Sequence, residues 1–206
     1  IREHHFENKC GLIFCMTIAD TESICSFLHN QGLRVRYYHA QMKDRSERHQ
    51  VQQLWMQGKI NIIVATLAFG MGIDKPDVRF VIHHTMPKSI ESYYQESGRA
   101  GRDGLRSYCV LLFNYNDRQR VERLIRCDYN YQENTSSSSS ATSKELVITK
   151  RKVDARLGIE LQLLDAMTNY CLDRTTCRRV MLLNYFSENF NPEDCDPKCD
   201  NCLRKE

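Results

Sequence analysis

Ile60-Asn61-Ile62-Ile63-Val64-Ala65-Thr66 is the stretch whose reading decides the fold. The run from Ile60 to Ala65 is short and apolar, as expected of a strand buried on both faces of a parallel sheet. Thr66 stands where that strand ends. The chain then enters Leu67-Ala68-Phe69-Gly70-Met71-Gly72-Ile73-Asp74-Lys75-Pro76, a Gly-x-Gly loop with an acid at Asp74 and a proline that stops any helix. Working outward, further strands are expected at Gly11 to Cys15, Val35 to His39, Val78 to His83 and Ser107 to Phe113. Between them lie helical patterns. Thr21 to Gln31 ends at Gly32. A second helix opens at Asp44-Arg45-Ser46-Glu47, with the acid and N3 glutamate of a helix start, and runs to about Gln57. Ile90 to Ser97 and Asp117 to Cys127 complete the set. Strand–helix alternation of this kind predicts an α/β fold, a parallel sheet with helices on both faces. Open sheets of that type bind ligands outside the carboxyl ends of their strands.

The second informative stretch is Gln95-Glu96-Ser97-Gly98-Arg99-Ala100-Gly101-Arg102-Asp103-Gly104. Two arginines three apart, each preceded by glycine, end a helix and enter a turn, so they are expected on one side. The glycines keep the surrounding surface low. Arginine offers a permanent charge and a planar donor fork suited to phosphate oxygens. These are the requirements of an arginine finger, a fixed cation presented to a nucleotide held mainly by another surface. The plain alternative is a pair of solvated arginines at a helix C-terminus.

Composition fits one or two soluble domains: 206 residues, 41% hydrophobic, with no apolar run near the roughly 20 residues of a membrane span. The opening Ile1-Arg2-Glu3-His4-His5 is polar and has no initiator methionine, so the chain reads as an internal fragment without a signal peptide. A net charge of +3 is too small to argue nucleic-acid binding by itself. After Cys127 the composition shifts. Tyr129 to Ser143 includes five consecutive serines, Ser136 to Ser140, and reads as a flexible linker. A helix with Leu157, Leu161, Leu164 and Met167 on its apolar positions follows. Another starts near Thr175-Thr176 and runs through Phe186. The basic run Lys150-Arg151-Lys152 reads as a solvated helix start, with a DNA contact as the alternative.

Ten cysteines divide into two groups. Cys10, Cys15, Cys25, Cys109, Cys127 and Cys171 are scattered and look like small buried hydrophobes. Cys177, Cys195, Cys199 and Cys202 crowd the C-terminus, separated by 17, 3 and 2 residues. The loop from Pro192 to Asn201 has little apolar content, so it needs a cross-link, and four thiolates around a tetrahedral zinc would supply one. No histidine occurs after His84, which makes the expected site all-cysteine unless an aspartate or a distant histidine joins. Four protein ligands leave no open position, so its role would be structural. Free reduced thiols are the alternative. Scattered thiols with one metal cluster fit a reducing compartment.

The pair ATLAFGMGIDKPDVRFVIHH and YYQESGRAGRDG resembles motifs V and VI of RecQ-type superfamily 2 DNA helicases, most closely the Bloom syndrome helicase-like branch. The cysteine that opens CRR at Cys177 and the terminal CDNC at Cys199 to Cys202 resemble that family's zinc-binding region. The likeness extends from about Gly11 to Cys202. It implies a second RecA-like lobe over residues 1–128, a Ser-rich linker over 129–150 and a helical zinc-binding domain over 151–206. It also implies roles. Arg102 would be the finger on the transferring phosphate, Arg99 its support, and Gln95 the coupler of nucleotide to DNA. Asp74, with Gly72 in the same loop, would reach toward the ATP ribose, though a simple loop cap is the other reading of Asp74. Thr66 and Lys88 would touch the DNA backbone, as a hydroxyl and an ammonium can, Lys88 being otherwise an exposed lysine after Pro87. His39, in Tyr37-Tyr38-His39-Ala40, matches a family position, and a packed histidine is an equal reading. Trp55 reads as a core residue of its helix.

No G-x-x-x-x-G-K-[ST] loop and no DEAH-type box occurs in these residues. By resemblance those belong to a first RecA-like lobe of the same polypeptide, which would bind most of ATP and its Mg2+. The chain is therefore expected to be half the motor of an ATP-dependent 3′-to-5′ DNA helicase, and inactive as an ATPase alone. The implied partners are single-stranded and 3′-tailed or branched DNA, the first lobe and a topoisomerase complex. The implied setting is DNA repair and recombination in the nucleus, or the cytoplasm of a prokaryote, with no membrane. A module that binds DNA or acts as a scaffold without ATP is the competing expectation.

Overall fold

The structure, a computed structural model, describes residues 1, 6–42, 44–66, 69, 74–136 and 143–205. Two compact units divide the chain: residues 1–85 with 94–113, and residues 86–93 with everything from 114 onward. The sequence-based division after residue 128 thus differs from the observed one, which falls between Phe113 and Asn114 and also assigns a short segment, Met86–Tyr93, to the second unit.

The first unit is built on five parallel strands, β1 (Gly11–Phe14), β2 (Val35–Tyr38), β3 (Ile62–Ala65), β4 (Phe80–His83) and β5 (Tyr108–Leu111), in the order β2-β3-β1-β4-β5. Register pairs Gly11 with both Ile62 and Phe80. Every residue of β1 and β3 is buried, as the unbroken apolar run predicts. Alternation sorts these side chains onto two faces. Leu12, Phe14, Ile63, Ala65 and Val81 pack with Val51 and Trp55 of α2 (Arg45–Met56). Ile13, Cys15, Ile62, Val64 and Phe80 pack with Cys25 and Leu28 of α1 (Ile18–Asn30). Helices therefore cover both faces. Trp55 is fully buried and donates its indole N–H to the Asn61 carbonyl at 3.2 Å.

Local chemistry explains where elements begin. Helix α1 starts three residues before the expected Thr21. The reason is Thr17, which accepts the Asp20 N–H at 3.1 Å and donates its hydroxyl to the Asp20 carboxylate at 2.7 Å. Asp44 caps α2 as expected, accepting from the Ser46 N–H at 3.0 Å. Helix α3 spans Ile90–Ser97, as read from the sequence.

The second unit is helical: α4 (Tyr115–Ser136), α5 (Ser143–Leu172), α6 (Arg178–Tyr185), a 3-10 turn at Pro192–Asp194, and α7 (Asp200–Leu203). Here the expected linker is corrected. Residues 129–136 are the last turns of α4 and residues 143–150 the first turns of α5. The polar stretch contains no glycine or proline to stop a helix. Residues 137–142, which hold most of the serine run, lie outside the described residues. Lys150-Arg151-Lys152 lies inside α5, not at its start. Helix α6 begins later than expected because Thr175 and Thr176 form a capped turn on Asp173. Among the scattered cysteines, Cys15 and Cys25 are buried as expected, whereas Cys109 and Cys127 are exposed. Among the described residues, no helix is long and apolar enough to cross a membrane.

Candidate functional site

The loop after β3 begins at one edge of the sheet and finishes at the other. Thr66 directly follows β3 and donates its N–H to the Tyr38 carbonyl at the end of β2. It is half-buried, and His39 stands beside it in the chain that leaves β2. Both lie at the carboxyl edge, where α/β sheets present ligand-binding loops. His39 is packed: it is 4% exposed, stacks on Tyr37 at 5.3 Å and meets Glu22 at 3.2 Å. Its geometry is that of the packed alternative.

At the opposite edge the loop returns to the start of β4. There the Arg79 N–H reaches the Cys10 carbonyl, just before β1. The turn after α3 folds onto the same edge, with the Gly101 N–H on Val78 O and the Asp103 N–H on Pro76 O. Gly101 and Gly104 have positive φ, 68° and 78°, which reverses the chain twice within a few residues. This brings Arg102 and Asp74 together, with Nη1 at 2.9 Å from Oδ1. Asp74 is 80% exposed and Arg102 38%. Arg102 also donates through Nε to the Gly98 carbonyl. Gly72 falls outside the described residues.

Arg99 differs from Arg102 in exposure. It is 9% exposed where Arg102 is 38% exposed, and among the described residues its Nε has no hydrogen-bond partner. Burial, then the neighbouring charge of Arg102, lowers its pKa, while Glu96 opposes the shift. A buried guanidinium nitrogen without an acceptor costs free energy until an anion or water supplies one. An orphaned donor beside a half-exposed arginine fits a phosphate group. Gln95 is exposed. Glu96, in contrast, is buried and bonds Nε2 of buried His83 at 2.7 Å.

Lys88 belongs to the second unit. It lies 3.3 Å from Asp128 and is 39% exposed. Its neighbours are well fixed: Thr168 donates to the Met86 sulfur, Tyr93 and Tyr170 rings lie 5.5 Å apart, and Tyr185 donates to Glu91 at 2.6 Å.

The four expected cysteines converge. The sulfurs of Cys177, Cys195, Cys199 and Cys202 all lie within 4.8 Å of one another. Tetrahedral zinc with Zn–S bonds of about 2.3 Å needs sulfurs about 3.8 Å apart, so the group fits with small adjustment. Backbone N–H groups point at the sulfurs, Arg178 at Cys199 (3.3 Å) and Cys199 at Cys195 (3.4 Å). Burial raises the Cys199 thiol, but N–H donors from Arg178 and Cys202 outweigh it and bring the pKa down to about 7. Such donors favour the thiolate at Cys199, while burial raises the thiols of Cys195 and Cys202.

Several supporting residues were not read from the sequence. Arg178 grips Asp200 at 2.9 and 3.2 Å and lies over the Tyr170 ring at 5.2 Å. Asn201, fully buried, donates to the carbonyls of Asp173 and Thr176. Lys75 is buried between Asp77 at 2.9 Å and the Trp55 ring. Asp200 of the terminal CDNC stretch was the available signal for the first; nothing in spacing or periodicity marks Lys75.

Two family models match this chain. The helicase conserved C-terminal domain covers residues 1–104 and RecQ zinc-binding covers residues 115–203. The chain belongs to the RecQ-like helicase family. Its RecQ-like relatives include the ATP-dependent DNA helicase Q-like 4B of Arabidopsis thaliana, 43% identical over 98% of this chain and 17% of the relative. The RecQ-like DNA helicase BLM of Xenopus laevis is 41% identical over 100% of this chain and 14% of the relative. The ATP-dependent helicase SGS1 of Saccharomyces cerevisiae is 40% identical over 96% and 12%. This RecQ-like chain thus spans less than a fifth of the length of these relatives. Among solved structures, a DEAD box protein from Methanococcus jannaschii has a TM-score of 0.50 and 31% identity, covering 61% of this chain and 35% of that one. Domain 2 of the DEAD-box helicase Mss116p, bound to an RNA duplex, has a TM-score of 0.50 and 25% identity, covering 59% and 48%. The parallel sheet with its flanking helices is the RecA-like helicase C-terminal lobe.

Proposed function

We propose that this RecQ-like chain is the C-terminal half of an ATP-dependent 3′-to-5′ DNA helicase motor. The first RecA-like lobe of the same polypeptide binds ATP and Mg2+, and this lobe offers Arg102 to the transferring phosphate. The observation that carries the reading is the cationic turn itself. Arg102 is half-exposed, tied to the exposed carboxylate of Asp74, and backed by a buried arginine whose Nε lacks an acceptor among the described residues. A phosphate would give Arg99 that acceptor and draw Arg102 from Asp74, freeing Asp74 to face the ribose. Gln95, exposed on α3 before this turn, couples nucleotide to DNA.

Thr66 and Lys88 contact the DNA backbone, and single-stranded, 3′-tailed and branched DNA are the substrate classes. The four cysteines hold one structural zinc, which cross-links the loop between α6 and α7. The setting is repair and recombination in a nucleus, with a topoisomerase complex as a partner; the naming of the relatives as DNA helicases supports the DNA part of this reading. A scaffold that works without ATP has no use for an orphaned buried arginine.

The test is Arg102→Ala in the full-length protein. An arginine finger is worth about 10³–10⁵ in rate. Turnover should collapse while ATP binding persists. Near-normal turnover would remove Arg102 from the finger role. The chain alone, lacking a phosphate-loop motif, is expected to show no turnover of its own.

A further inference from the structure

Arg79 makes more polar contacts than any arginine role assigned above requires. Its Nε donates to the Asp77 carbonyl at 3.2 Å, Nη1 to the Arg106 carbonyl at 3.3 Å, and Nη2 to the Pro76 carbonyl at 3.2 Å and Asp103 Oδ1 at 2.5 Å. The side chain is only 16% exposed and Asp103 24%. Asp103 completes the brace from the other side. Its Oδ1 also accepts the Leu105 N–H at 3.0 Å, and its own N–H donates to Pro76 O. The hydrogen bond from Arg79 is the largest influence holding the Asp103 carboxyl below its usual pKa.

These bonds join two segments far apart in sequence. One is the end of the loop that carries Asp74. The other is the turn that carries Arg102. Resting on the reading of Arg102 as the finger, we propose that Arg79 and Asp103 form the positioning pair that sets Arg102 for phosphate. Neither touches nucleotide. The Asp74–Arg102 contact is exposed and is the part that opens; the Arg79–Asp103 brace is the part that stays closed. When Arg102 leaves Asp74, the brace keeps its turn against Pro76 and Val78, so the arginine swings from a fixed root. A lysine at position 79 offers one compact ammonium and cannot reach four acceptors in two segments. The brace therefore requires the guanidinium fork specifically.

The experiment compares Arg79→Lys, Asp103→Asn, the double variant and Arg102→Ala in the full-length protein. Three quantities are read: DNA-stimulated kcat with KM for ATP, single-stranded DNA affinity, and amide hydrogen exchange at residues 101–106. Each single brace variant should lower kcat on the order of 10–100-fold, as misplacement of a catalytic group by about 1 Å does. KM and DNA affinity should stay within about twofold, since uniform binding is untouched. Exchange should rise at residues 101–106 and remain unchanged in α4. The double variant should be no worse than the worse single, because the two act as one unit. Unchanged exchange at 101–106 in Arg79→Lys overturns the inference whatever the activity. So does normal kcat in Arg79→Lys when Arg102→Ala is inactive, which leaves the finger reading standing. If Arg102→Ala keeps its turnover, the finger reading falls, and the positioning role falls with it.

Discussion

Gly101 shows how much of this site hangs on one backbone torsion. Its φ of 68° is left-handed, and an added Cβ would lie 2.5 Å from the Ser107 hydroxyl and 3.0 Å from the Leu105 carbonyl. Gly104 has φ of 78° but open space around it. Gly104→Ala should therefore cost about 1 kcal/mol, the left-handed penalty alone. Gly101→Ala should cost more, on the order of 2–3 kcal/mol as strain and overlap add, and should displace Arg102. Thermal melting of the two variants side by side checks the ranking, and equal destabilisation would contradict it. The glycines, both arginines and Asp74 were legible because charge and conformational freedom are written in residue type. Exposure was not. Arg99 and Arg102 look equivalent in sequence, yet one is buried and the other half-exposed, because the turn rotates between them at Gly101. Arg79 was illegible for a related reason: its partners Asp103 and Arg106 are brought to it only when β4 and the turn before β5 come together.

Sequence periodicity located every strand and most helices, and its errors at element ends have one cause. A terminus is fixed by single hydrogen bonds that hydrophobic spacing does not record. Thr17 moved the start of α1 earlier, and Asp173 moved the start of α6 later. The expected linker failed differently: a polar run was read as loop, yet residues on both sides of it are helical. Helix α3 and helix α6 carry a testable contact, the Tyr185 hydroxyl on Glu91 at 2.6 Å. The bond to Glu91, then burial, raises Tyr185 to a pKa of about 12. Burial raises Glu91, but the Tyr185 hydroxyl and neighbouring donors outweigh it, so its pKa is lowered. The signs give a window. The raised tyrosine contributes stability that is complete below its ordinary value near 10 and is lost as pH rises through about 12. The lowered glutamate contributes stability present above its ordinary range near 4.5 and lost as pH falls through the lowered folded value. Tyr185→Phe should therefore destabilise modestly, about 0.5–1.5 kcal/mol, across the neutral range, and the difference from the parent should vanish at the acid and alkaline ends. A non-zero difference that is flat from pH 3 to 12 would show that this hydrogen bond is not linked to the titration of either group, and no difference at any pH would show that it contributes nothing.

At the scale of the whole chain, the division into two units does not follow sequence order, and this makes a sharp prediction. Residues 86–93 lie between β4 and the end of α3, inside the stretch matched by the helicase C-terminal model, yet they pack within the helical unit. Met86, Ile90 and Tyr93 are buried there, with Tyr93 against Tyr170 and Met86 against Thr168. Structural zinc contributes about 10–16 kcal/mol of apparent folding free energy in small zinc-finger peptides. Losing one ligand should therefore loosen α6, α7 and the loop between them, which has little apolar content of its own. Tyr185 and Arg178 sit on α6 and reach Glu91 and Asp200 from it, so the disturbance passes to residues 86–93. The five-stranded sheet keeps its own two apolar clusters and should remain folded. The measurement is amide hydrogen exchange of Cys199→Ser beside the parent chain, with zinc quantified in both. Protection should fall in residues 175–205 and also in 86–93, while β1, β3 and β4 keep theirs. Lys88 lies in that segment, so if it contacts the DNA backbone as proposed, affinity for single-stranded DNA should drop with it, most visibly at low salt where phosphate contacts weigh most. If residues 86–93 keep full protection while 175–205 lose theirs, the segment does not take its order from the zinc-bearing loop, and zinc has no route through it to Lys88.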